Sequence, residues 1–98
     1  MPETQMRSAS EMTRAVQTEV RTPAEGLTLI TTLLETVGDT RTYYSLSVAL
    51  CTNEPYGADA RLITDITGER GTAEHLLRMI ADGAVTPCTL ADVLEDAL

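Results

Sequence analysis

Lysine is absent from this chain, and so are phenylalanine and tryptophan. All 7 basic residues are arginine, against 15 acids, for a net charge of −8. Without lysine there can be no P-loop, whose lysine holds the terminal phosphates. The shortage of cations also argues against a broad nucleic-acid-binding face, because phosphate contacts require clustered positive side chains. The only aromatic residues are Tyr43, Tyr44 and Tyr56. The core must therefore come from Leu, Ile, Val, Met and Ala, a composition that suits helix-on-helix packing. It also lacks most of the aromatic anchors that dominate tight interfaces. Cys51 and Cys88 are the only cysteines. No segment approaches the roughly 20 apolar residues of a membrane span. Glu3 and Glu11 stand where a secretory leader needs a basic start and an apolar run. The expected setting is therefore cytoplasmic, with both thiols reduced and buried.

The 98 residues include 43% hydrophobic ones, ordinary for one globular domain. The polar start predicts a frayed terminus over residues 1–8 and a single helical domain over 9–98. Met6, Ala9, Met12, Val16 and Val20 recur at three- and four-residue steps, a thin helical stripe. Thr22, Pro23 and Glu25 match a capping box with proline at the first helical position. Leu27, Ile30, Leu34 and Val37 would then form one stripe of a central helix, and Leu29 and Leu33 a second, with Gly38 as its terminator. The run from Tyr43 to Cys51 fits either period: Tyr44, Leu46, Val48 and Leu50 alternate like a strand, yet helical steps are also present. A lone strand is not stable, so helix is the expectation there. Leu62, Ile63 and Ile66 give a further helix, with Arg61 and Asp65 as an i,i+4 pair. Two more helices follow, one from Thr72 to Gly83 and one ending at Leu98. The predicted fold is all-α: a compact array of five to six short helices with no sheet.

The stretch Gly68-Glu69-Arg70-Gly71 has the spacing of the GxxG loop in KH domains. That family places an apolar residue where this chain has Glu74, and its loop is basic, so the expected role is helix punctuation. The stretch from His75 to Leu94 resembles the opening two helices of helix-turn-helix repressors. The resemblance covers about a quarter of the chain, which ends without a recognition helix carrying Arg, Asn or Gln. Ser45 lacks the preceding aspartate of the acyl-carrier-protein Asp-Ser-Leu triplet. His75 is the only histidine, and no C-x-x-C or H-x-x-x-H spacing accompanies it. No catalytic residue, cofactor or metal is therefore expected.

Surplus apolar surface on a short chain usually goes into association. Leu29, Leu33, Tyr43, Tyr44 and Leu46 are the candidate interaction surface. The expected function is that of a small non-catalytic regulatory or adaptor protein. It would bind a protein partner, including its own copies as a homodimer. Nine of the 15 acids fall in residues 50–98, against three arginines. Glu74, Asp82, Asp92, Glu95 and Asp96 form a candidate acidic face. The alternative function is accordingly an acidic nucleic-acid mimic that inhibits its target, of the kind phages encode, or a truncated helix-turn-helix-derived regulator.

Overall fold

The computed structural model describes residues 11–53 and 58–98. Four strands form one antiparallel sheet in the order of the chain: β1 (Met12–Ala24), β2 (Leu27–Val37), β3 (Thr42–Thr52) and β4 (Asp59–Thr67). Helix α1 (Arg70–Asp82), a 3-10 turn (Pro87–Thr89) and helix α2 (Leu90–Ala97) follow. The expected all-α array without a sheet is therefore incorrect over residues 12–67. The assignment of the Tyr43–Cys51 run to a helix fails because β2 and β4 pair with it on either side.

The physical reason lies in β-branched residues and in one turn. Thr28, Ile30, Thr31, Thr32, Thr36 and Val37 supply six of the 11 positions of β2. Such side chains are stiff against a preceding helical turn and pack well on a pleated surface. The apparent capping box is the end of β1, with Glu25-Gly26 as a two-residue turn between Ala24 and Leu27. Gly26 has φ +76, a conformation open to glycine because it has no Cβ. Arg61 and Asp65 lie on a strand and do not pair. Asp65 instead accepts Arg41 Nη2 at 2.6 Å.

Cross-strand register puts Leu29, Thr31, Leu33 and Glu35 of β2 beside Leu50, Val48, Leu46 and Tyr44 of β3. This face carries the core. Helix α1 covers it with Ala73, Leu76, Leu77, Ile80 and Ala81, all buried at helical spacing. Leu90 and Leu94 of α2 join the same cluster. Two irregularities shape the outer strands. Val16 is an extra residue between the paired Ala15 and Gln17, and it packs against the core. In β4, residues 64–66 stand against Ser45 alone, with Asp65 at φ +57 and its N–H donating to Ser45 Oγ at 3.2 Å. Asp tolerates this conformation, and the bend carries Ile66 into the core.

The two C-terminal helices lie close to their sequence-based positions. Gly83 follows α1 as expected, but the left-handed residue is Ala84, at φ +52. Val85 N–H reaches Ile80 O at 3.2 Å and Ala84 N–H reaches Ala81 O at 3.1 Å. These two bonds make a Schellman ending with alanine at the usual glycine position. Gly68 ends β4, and Gly71 lies in the first turn of α1, with Glu69 as its N-cap.

Candidate functional site

The residues expected to form an interaction surface separate into two sets. Leu29, Leu33, Tyr44 and Leu46 are at most 5% exposed beneath the helices, where they form the core. Tyr43 lies on the opposite face of the sheet, half-buried, with the Arg41 guanidinium 4.8 Å above its ring. Cys51 and Cys88 are both exposed and unbridged, contrary to the expectation of buried thiols. Among the described residues no three His, Cys, Asp or Glu side chains converge as metal ligands. No helix among them is long and apolar enough to cross a membrane.

The acids do not form a single free face. Asp82 accepts Arg21 Nη2 at 2.9 Å, and Glu74 accepts Arg70 Nε at 3.2 Å. Asp92, Glu95 and Asp96 are exposed on the outer side of α2.

A polar cluster sits at one end of the helix-covered face. Glu35 is 9% exposed. Its Oε2 accepts the Tyr44 hydroxyl at 2.8 Å, and its Oε1 accepts Arg14 Nε at 3.3 Å. The Arg70 guanidinium approaches to 3.9 Å. The Tyr44 hydroxyl first, and then Arg14, holds the Glu35 carboxyl below the usual carboxylate range. The same hydrogen bond raises the Tyr44 pKa. A general base working near neutrality needs the opposite shift, upward. The cluster instead fixes an ionised carboxylate between strands and helix, beside a half-open depression of about 310 Å³ lined by Met12, Thr13, Arg14, Glu35 and Val37.

The signs of these shifts define a pH window. The lowered Glu35 pKa contributes stability above the ordinary glutamate value of about 4.3, lost as pH falls through the folded value. The raised Tyr44 pKa contributes stability below about 10, lost as pH rises through its own folded value. The urea midpoint of the wild type is therefore expected to fall at both limits, and Tyr44→Phe should flatten both limbs. Identical acid and alkaline limbs in wild type and Tyr44→Phe would show that the pair does not couple folding to pH.

The most unusual distribution of charge is on the strands themselves. Arg14 is in register with Glu35, and through it with Tyr44. Glu19 is in register with Thr31, Val48 and Arg61. Arg21 is in register with Leu29, Leu50 and Asp59. Since residues directly opposite share a face, all these charges lie on the helix-covered side. The alternate rows read Thr18, Thr32, Ser47 and Leu62, then Val20, Ile30, Ala49 and Ala60. Thr13–Thr36–Tyr43, Ala15–Leu34–Ser45 and Thr28–Cys51 complete that side. Not one of these positions is charged, and neither helix lies over them. The Arg41–Asp65 pair brings charge to one corner of that side, beside Tyr43. Hydroxyls bridge strands across this face, with Thr13 Oγ1 2.8 Å from Thr36 Oγ1 and Thr18 Oγ1 3.4 Å from Thr32 Oγ1. Val20 and Leu62 stand out from it at 55% and 50% exposure.

The sequence alone does not reveal this face, because it requires four strands in register. One signal was present: Arg14, Glu19 and Arg21 alternate with uncharged residues once Val16 is taken as a bulge. No protein-family profile matches the chain, and neither curated proteins nor solved structures give a match.

Proposed function

We propose that this is a non-catalytic cytoplasmic protein that works by binding protein through the uncharged face of its sheet. One observation carries the reading. An antiparallel sheet with one face in water normally alternates apolar-in with polar-out. Here the strand charges are on the packed side, apart from Asp65, which is paired with Arg41 at one corner of the side without helices. Several of the charges on the packed side have partners there: Arg21 reaches Asp82 of α1, and Arg14 and Arg70 reach Glu35. Thr, Ser, Ala, Ile and Leu at the alternate rows bring no ionised group that a closed contact would have to desolvate. A net charge of −8 supplies solubility elsewhere on the molecule. The acids favour nucleic-acid mimicry less, since Glu74 and Asp82 are each paired with an arginine.

The test is comparative capture in the organism that encodes the chain, using tagged wild type and Thr32→Arg. Thr32 lies mid-strand on a central strand of the face, and arginine there brings a charge into any closed contact. A protein recovered with the wild type and lost with Thr32→Arg is the expected result. Equal recovery with both, from a variant of unchanged circular dichroism and melting temperature, would contradict the reading.

A further inference from the structure

We infer that the occupant of the uncharged face is a second copy of this chain, packed sheet against sheet with the helices outermost. This assignment rests on the reading of that face as a binding surface and names its partner. Area is the first argument. Four strands of about 11 residues cover on the order of 700 Å² per protomer at ordinary strand spacing and rise. That is close to the roughly 800 Å² per partner of a standard stable interface.

Charge is the second argument. Two chains of −8 repel through almost any other contact. Exposed Asp92, Glu95 and Asp96 would meet their own copies across α2, whereas this face brings no like charges together. A partner of opposite charge, by contrast, would find nothing on it to recognise.

Self-complementarity is the third. A two-fold axis in the interface plane, along the strands, lays β1 of one protomer over β4 of the other. Val20 and Leu62, the two large apolar side chains that protrude, sit on those strands at opposite margins of the face. The rotation sets Val20 over the partner's Ala60, one row along the strand from its Leu62, and the reciprocal contact forms by symmetry, as an isologous contact requires. The small Ala49 and Ser47 on the central strand leave room for β-branched Ile30 and Thr32 of the facing sheet. Sheets packed this way lie about 10 Å apart and within about 30° of alignment.

Sedimentation equilibrium and light scattering of the purified full chain, from micromolar to millimolar, test the assignment. The wild type is expected to reach twice the 10.6 kDa chain mass. Thr32→Arg, which places two unpaired guanidinium groups in the closed contact, should raise the dissociation constant at least about 100-fold. Val20→Glu changes a residue that is already exposed, so it tests the contact without burdening the fold, and it should also weaken the dimer. A wild type that stays monomeric throughout would overturn the assignment, and so would a dimer indifferent to both substitutions. If the wild type is monomeric while Thr32→Arg still loses a captured protein, the second copy is excluded and the binding face stands.

Discussion

Leu46→Ala is expected to lower the free energy of unfolding by about 2–5 kcal/mol. Leu46 is fully buried and sits in register between Leu33 of β2 and Ile63 of β4. It is thus at the centre of the row on which α1 rests. Truncation removes the transfer free energy of three carbons and leaves a void that the sheet backbone is too rigid to close. For a domain whose total stability is about 5–15 kcal/mol, that loss leaves a marginal protein. Urea titration should show a much lower midpoint at an unchanged slope. Leu98→Ala is the control, since Leu98 is 64% exposed and its loss should stay within about 0.5 kcal/mol. Equal effects of the two substitutions would mean that the sheet does not pack on the helices as described.

The second large effect is expected at Gly26. Its φ of +76 is forbidden territory for a β-branched residue. A Cβ there would also stand 2.9 Å from Asn53 Nδ2, although that side-chain amide can move aside. Gly26→Val should therefore cost about 1–3 kcal/mol, mostly from the backbone. In a domain of this size each kcal/mol lowers the melting temperature by about 4–8 °C. Gly26→Asn, which tolerates the left-handed region, should lose clearly less. An unchanged melting temperature in Gly26→Val would contradict the two-residue turn, and with it the register of β1 on β2.

Much of the C-terminal third was legible because its signal is simple. Ala73, Leu76, Leu77, Ile80 and Ala81 repeat at helical spacing, with Gly83 just beyond. The sheet was hidden by features that each have a physical cause. Both faces of β2 and β3 carry uncharged residues, so the run Leu27–Val37 lacks the apolar–polar alternation that marks a half-exposed strand. Thr22-Pro23-Ala24-Glu25 imitates a helix start, whereas Pro23 is tolerated because β1 is an edge strand. The bulges at Val16 and Asp65 shift the alternation within the two outer strands, so a fixed period of two fails in each. The Tyr43–Cys51 strand is not alone because β2 and β4 flank it, and those neighbours are themselves disguised in the sequence. The uncharged face was least legible of all, because its character is a near absence of charge spread over four separate segments.

That face also contains a native reporter. Cys51 lies on it, in register with Thr28, and Cys88 lies in the 3-10 turn on the other side of the molecule. Both are exposed in the single chain. The most direct measurement is the rate at which iodoacetamide alkylates each thiol in living cells, normalised to the rate in the denatured chain. Strong protection of Cys51 alone, relieved by Thr32→Arg, is the predicted result. Cys51 reacting as fast as Cys88, in wild type and variant alike, would show that the uncharged face of the sheet stands open to water and is not a binding surface.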